Sequence, residues 1–323
     1  MVLIDAYDTL LLDLDGVVYL GPHAVLGAVA ALDGARRAET RLAFVTNNAS
    51  RTPAAIAGHL RELGVEAARE DVVTSAQAAA RVIEERFGPG ATVLVVGGMG
   101  LRTAVRERGL RVVTTAWDEP DAVAQGMWPG ISYGLLSEGA LAVRQGALFV
   151  ASNRDSTMPV GRGELPGNGA MARVIATATG VEPVYAGKPD PPLHRESMLR
   201  TGAKRPLVVG DRLDTDIEGA SNAGVDSLLV LTGVATVLDV LTAAPEHRPT
   251  YLAEDLSALH EVYMADGWRA SWEDGRLRLD GDGAWIDGLR VACRAAWEAA
   301  GDGRADDDAV KPALERLQNV SRG

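Results

Sequence analysis

The stretch Leu10-Leu11-Leu12-Asp13-Leu14-Asp15-Gly16-Val17-Val18 constrains this chain more than any other. An apolar run of this kind belongs to a strand buried on both faces, the habit of parallel sheets whose crossovers are helices. The run ends on two carboxylates, which an apolar interior does not accept unpaired. Its C-terminal end therefore opens on a ligand or on water, where open α/β sheets bind their substrates. Residues two apart share a face while a strand lasts, so Asp13 and Asp15 can converge on one small volume. Gly16 lets the backbone approach whatever sits there and turns amides toward an anion. Two strand-end aspartates capping a turn would explain the same letters, and on this stretch alone the two readings carry equal weight.

The rest of the chain repeats the pattern. Short Val/Leu-rich runs at 9–14, 42–46, 92–96, 147–151, 206–210 and 227–231 predict strands. Between them, 52–63, 75–86, 101–107, 169–179 and 214–222 read as helices, with glycines at 64, 109, 180 and 224 as stops. Alternation of this kind predicts an α/β fold built on a parallel sheet. Near residue 263 the composition changes. Trp268 to Trp272, then Asp274-Gly275, then Arg276 to Asp280 predict a β-hairpin whose Asp-Gly supplies the positive-φ turn. Helical stretches follow at 286–300 and 309–317, and three of the six tryptophans (Trp268, Trp272 and Trp285) fall within 18 residues at the start of this tail. It reads as a small α+β appendage that packs on the main sheet or supports a dimer, in preference to binding a ligand.

Composition narrows the partners. The 323-residue chain carries a net charge of -12 and no basic patch, which argues against nucleic acid and anionic membranes. No apolar run approaches the ~18 residues of a membrane span. A single cysteine, Cys293, excludes an internal disulfide framework and fits a reducing compartment, so the expected location is the cytoplasm. Five scattered histidines form no metal-spaced pair and read as surface or packing residues.

Three further segments shift the balance at the first motif. Arg41 to Asn48 is an apolar strand ending in Thr46-Asn47-Asn48, a hydroxyl and two amides suited to phosphate oxygens or to an Asx turn. Gly187-Lys188-Pro189 sets one of only three lysines in an extended backbone, since the residue before proline is pushed out of the helical region. Leu207 to Gly210 is a third apolar run that ends in acid, here Asp211, with Asp214 and Asp216 close behind. Asp214 reads as the N-cap of the following helix, which leaves Asp211 and Asp216 as site candidates. Together DLDGV, the strand-end TNN, GKP and GDRLDTDI, in this order, resemble the signature motifs of the haloacid dehalogenase superfamily of phosphotransferases as far as about residue 262.

That resemblance implies a Rossmann-like core of residues 1–76 and 182–262, an inserted α/β cap at 77–181, and the appendage at 263–323. The insertion point, with the TNNAS and AGKP forms, is similar to the large-cap subfamily of nitrophenylphosphatase- and phosphoglycolate-phosphatase-like enzymes. The cap and the tail look most similar to bacterial enzymes acting on glycerol 3-phosphate. The family implies a Mg²⁺-dependent phosphatase for a small phosphorylated metabolite. Glycerol 3-phosphate is the leading substrate, with phosphoglycolate or another short phosphoester the alternative. A phosphate-sensing scaffold with a vestigial site is disfavoured because every motif position is intact. By carry-over, Asp13 is the nucleophile and Asp15 the general acid and base. Asp13, Asp211 and the Asp15 carbonyl hold the metal, with Asp216 behind them. Gly16, Thr46, Asn47, Asn48 and Lys188 hold the phosphoryl group. Asn153 and Asp155 match an Asn-x-Asp segment and serve either the substrate or a turn. Asn168 reads as a helix N-cap, Trp128 as packing or substrate contact, and homo-oligomerisation stays open.

Overall fold

The computed structural model describes residues 2–160, 163–263 and 266–320. The chain divides into two compact units, residues 1–42 with 203–323, and residues 43–202. In the first, the strands Tyr251–Ala253, Asp226–Val230, Pro206–Gly210 and Thr9–Leu12 lie side by side in that order, all parallel. Every residue of Thr9–Leu12 and Pro206–Gly210 is buried, as continuous apolar strands require. Because the strands are parallel, their C-terminal ends share one edge. Asp13, Asp211 and the turn at 231–235 all leave from it.

The strand Arg41–Thr46 leads into the second unit, where Phe44–Thr46 pairs in parallel with Val72–Thr74. A five-stranded parallel sheet follows, ordered Val184–Tyr185, Leu148–Ala151, Ala122–Gln125, Thr92–Val96 and Arg111–Val113. Its core is built from Leu94, Val96, Val123, Phe149 and Ile175. The glycine-rich segment at 97–100 is the tight link from Thr92–Val96 into the helix Met99–Glu107. The Trp128 ring packs against Gly98 and Gly130.

The tail forms the predicted hairpin, Trp268–Glu273 with Arg276–Gly281, and both turn residues, Asp274 and Gly275, have positive φ. The helices Trp285–Ala300 and Asp307–Val320 complete it. It shares one apolar cluster with the parallel sheet of its unit. Trp268, Leu289, Cys293 and Leu317 pack with Ile217, Leu229, Val240, Leu241 and Leu252. Burial drives the Cys293 thiol well above its ordinary pKa, so it remains a protonated core residue.

Several expectations need correction. The first strand ends at Leu12, two residues early, because Gly16 at φ +83° turns the chain back on itself. Asp214 caps nothing. It sits inside a wide helical turn, Leu213–Ile217, and pairs with Arg212 at 2.8 Å. Asn168 is the first residue of the helix Asn168–Thr179, whose N-cap is Gly167, and its side chain points into a buried network.

Candidate active site

The first unit gathers the acids. The Asp13 N–H donates to the Val209 carbonyl at 2.8 Å, one step past the last strand residue, so the ladder itself fixes the Asp13 backbone. The turn that follows closes with Gly16 N–H on the Tyr19 carbonyl at 2.8 Å. Asp15 is exposed on that turn, and Tyr19 Oη donates to its Oδ2 at 3.4 Å. The turn, and not strand alternation, therefore places Asp15. Asp211 and Asp216 are buried, at 2 % and 1 % exposure. One carboxylate oxygen from each of Asp13, Asp211 and Asp216 lies within 4.8 Å of the others.

Backbone amides hold this trio in place. Asp216 Oδ2 accepts from the N–H groups of Asp211 (3.3 Å) and Arg212 (3.2 Å). Asp211 Oδ2 accepts from Val234 N–H at 2.8 Å, and its carbonyl accepts from Ala235 N–H at 3.0 Å. Thr232 Oγ1 donates to the Gly16 carbonyl, which ties the same loop to the first motif. Glycines line the acids because nothing larger fits. A Cβ on Gly16 or Gly233 would lie 2.3 or 1.9 Å from Asp211 Oδ2, and one on Gly210 would lie 2.1 Å from Asp216 Cβ. The sequence reading missed Thr232-Gly233-Val234. Its signal was available, since this too is a turn directly after an apolar strand.

Three carboxylates this close repel. At an effective dielectric of about 20, a pair near 5 Å costs roughly 3 kcal/mol. A divalent cation removes that cost, and hard carboxylate oxygens with a backbone carbonyl nearby are the donor set of magnesium or calcium. The residues fit the ion.

The second unit gathers neutral donors around a buried lysine. Asn47 clamps the main chain of Lys188, accepting its N–H on Oδ1 at 2.8 Å and donating Nδ2 to its carbonyl at 3.0 Å. The Asn47 amide group thus acts on Lys188, in contrast to the expected grip on phosphate oxygens. Lys188 is 3 % exposed, and its Nζ donates to the Val45 carbonyl at 3.4 Å. Gly187 is obligatory here, since a Cβ would meet Asn47 Oδ1 at 2.4 Å and the Ser152 carbonyl at 2.5 Å. Thr46 Oγ1 accepts from Asn48 N–H at 3.1 Å, and Asn48 Oδ1 accepts from Ser50 N–H and Arg51 N–H, both at 3.0 Å. These bonds form the predicted turn.

Behind Asn47 runs a chain of amides. Asn153 Nδ2 donates to the Asn47 carbonyl at 2.8 Å, as does Ser75 Oγ at 2.7 Å. Asn168 Nδ2 donates to the Asn153 carbonyl at 2.8 Å, and Asn168 Oδ1 accepts from Gln125 Nε2 at 2.9 Å. Asn153 thus shapes the loop through its Oδ1 contact with Asp155 N–H, while Asp155 lies 3.3 Å from Asn47 Nδ2. His194 is 1 % exposed, and burial, with the charge of Lys188 added, pushes its pKa down to about 3. It is a neutral core residue.

Models of known families match both halves of this arrangement. A haloacid dehalogenase-like hydrolase model covers residues 10–111 and a related one covers 185–259. Over 96 % of its length the chain is 44 % identical to D-glycerol 3-phosphate phosphatase of Mycobacterium tuberculosis, covering 94 % of that protein. The chain belongs to the haloacid dehalogenase-like hydrolases. The crystal structure of a glycerol phosphate phosphatase from M. tuberculosis in complex with magnesium superposes on this hydrolase with a TM-score of 0.89. The two are 45 % identical, and the match covers 98 % of each chain. An acid sugar phosphatase of Staphylococcus epidermidis is 39 % identical and spans 78 % of this chain, 96 % of its own. Residues 265–318 match a different model, a GCN5-related N-acetyltransferase-like domain, which nothing in the sequence reading anticipated.

Proposed function

We propose that this hydrolase is a Mg²⁺-dependent phosphatase that cleaves small phosphate monoesters, with glycerol 3-phosphate the preferred one. The reading rests on the trio Asp13, Asp211 and Asp216, whose oxygens converge within 4.8 Å while two of the three are buried. The substrate assignment is supported by the glycerol phosphate phosphatases of M. tuberculosis, which match nearly the whole chain, tail included.

The chemistry follows from the residues. Asp13 attacks phosphorus, forming an Oδ–P bond as the bond to the leaving oxygen breaks. Asp15, exposed on its turn, gives its proton to the leaving alkoxide. It then takes a proton from the water that attacks the aspartyl-phosphate, which releases phosphate and restores Asp13. Lys188 supplies a positive charge for the phosphoryl oxygens. Thr46, Asn48 and amides near Gly16 supply neutral donors, and Asn47 holds Lys188 in place. Asp13, Asp211, the Asp15 carbonyl and Asp216 would hold a magnesium ion, which would supply the charge neutralisation that lets an anionic nucleophile meet an anionic ester.

The same proposal takes 77–181 as an inserted cap, which the five-stranded sheet supports, although its edge strand Val184–Tyr185 runs past that limit. It takes the cytoplasm as the location. Among the described residues no helix is long and apolar enough to cross a membrane. A panel of glycerol 3-phosphate, phosphoglycolate and sugar phosphates, compared by kcat/KM with and without Mg²⁺, tests the reading. Glycerol 3-phosphate should rank first and turnover should vanish without the metal. Activity that persists in chelator defeats the mechanism, and a different leading ester defeats only the substrate assignment.

A further inference from the structure

The tail does more than fill space behind the sheet. The loop 231–235, whose Val234 and Ala235 amides hold Asp211, runs directly into the helix Val237–Leu241. Five residues are too few for a helix to hold itself in water. Its N-terminus is fixed locally by a capping box, with Thr236 Oγ1 accepting from Asp239 N–H at 3.2 Å and Asp239 Oδ2 from Thr236 N–H at 2.9 Å. Its C-terminus is fixed by the tail. Trp297 Nε1 donates to the Val240 carbonyl at 2.9 Å, in the last turn, where that carbonyl also accepts from Ala243 N–H at 3.2 Å, beyond the helix. Arg304 Nη2 donates to Thr242 Oγ1 at 3.0 Å. Arg248 joins the two sides, reaching the Ala243 carbonyl and the carbonyls of Gly301 (2.8 Å) and Gly303 (2.7 Å). Val240 and Leu241 are fully buried in the cluster the tail completes, and Leu213, Ile217, Leu231 and Ala235, which flank the acid-bearing turns, pack against that cluster.

We infer that Trp297 is a positioning residue for the metal site, acting through the helix 237–241 and the loop 232–235 on Asp211. The appended domain thereby sets how tightly the carboxylate trio binds its cation.

This inference rests on the metal reading of Asp13, Asp211 and Asp216, and its test separates the two. Mn²⁺ binding to the metal-stripped full chain is titrated by electron paramagnetic resonance, with no substrate present. Trp297→Ala should weaken Mn²⁺ roughly tenfold, the lower end for losing an outer support of a metal site. Trp297→Phe, which keeps the ring and loses the N–H, should fall between. KM for substrate at saturating metal should not move. Ile175→Ala, in the other unit's core, serves as a control of comparable thermal destabilisation and should leave the Mn²⁺ affinity unchanged. Trp297 variants with the parent's Mn²⁺ affinity overturn the inference, as does an equal loss in the control. If Trp297→Ala does not fold, Trp297→Phe and Arg304→Ala decide. A parent chain that binds no Mn²⁺ overturns the metal reading itself.

Discussion

Gly233→Ala is the sharpest single probe of the acid cluster. A Cβ at this position would stand 1.9 Å from Asp211 Oδ2, 2.5 Å from its Cγ and 2.7 Å from its Cβ. Carbon does not approach carboxylate oxygen much closer than 3 Å, so the group must move by about 1 Å or more, and a misplacement of that size near reacting atoms costs about 10²-fold in rate. Backbone strain is not the cause, because Gly233 is absent from the positive-φ glycines. The movement also breaks the 2.8 Å bond from Val234 N–H. Overpacking of this kind destabilises by about 1–3 kcal/mol, which a domain of ordinary stability survives. The expected result is a chain that folds, melts a few degrees lower, requires more magnesium and turns over about a hundredfold more slowly. Steady-state kinetics across a magnesium series, with a melting curve by circular dichroism, measures all four quantities. Gly58→Ala is the contrast. Its nearest neighbour would be Arg61 Nη2 at 3.9 Å, within a helix, so it should stabilise by about 0.5–1 kcal/mol. If Gly233→Ala retains full kcat/KM at limiting magnesium, the close packing around Asp211 is irrelevant to function and the argument fails.

Asp13→Asn should abolish turnover while the chain still folds, because it removes the proposed nucleophile and one of three repelling charges. A phosphate-release assay with substrate and Mg²⁺ in excess checks it. Lys188→Ala should lower kcat/KM steeply with the carboxylate trio intact, which Mn²⁺ titration would show as unchanged metal affinity. Acid should destabilise the fold through His194. Its folded pKa of about 3 lies below the ordinary 6.5, so the unfolded chain binds a proton the native one refuses. Its stabilising contribution is complete above pH 6.5 and is lost as pH falls toward 3, at up to about 1.4 kcal/mol per pH unit. Denaturant melts of His194→Leu should show a shallower acid slope than the parent. Glu196 is fully buried and accepts from Arg81, Arg108 and Arg200. Burial alone would raise its pKa, and the hydrogen bonds and charges of these arginines outweigh burial and hold it low. Glu196→Gln should cost about 3–5 kcal/mol of stability, read from denaturant midpoints, because the guanidiniums lose their partner.

The acid-bearing strands were legible because nothing local competes with their pattern. Leu10 to Leu12 and Leu207 to Val209 are apolar without interruption, and a strand covered on both faces looks like that. The helix Pro191–Thr201 was not legible. It buries His194, Glu196, Ser197 and Thr201, so its inward face is polar and gives no apolar period to count. Strands of three residues, such as Arg111–Val113 and Tyr251–Ala253, are too short to show alternation. Of the candidate residues, Asp13 and Asp211 stood out because each follows an apolar run, Asp216 because it lies close behind Asp211, and Lys188 because it is a rare lysine between glycine and proline. What Asn47 touches did not, because an asparagine that clamps a main chain at residue 188 and one that binds an anion have the same letter and the same neighbours. Gln125, Asn168 and Thr232 support the site from distant parts of their own units, and only three-dimensional packing shows them.

The parallel pairing of Thr9–Leu12 with Pro206–Val209 carries a consequence for synthesis. At roughly 5–20 residues per second, a ribosome delivers the first of these strands roughly 10–40 s before the second. For most of that interval Asp13 is outside the tunnel while Asp211 and Asp216 do not yet exist, so a nascent chain lacks the proposed carboxylate trio. Residues 43–202 emerge whole in the meantime. Metal loading is therefore a late event, and Leu10, Leu11 and Leu12 are the segment that a chaperone would have to shelter until then.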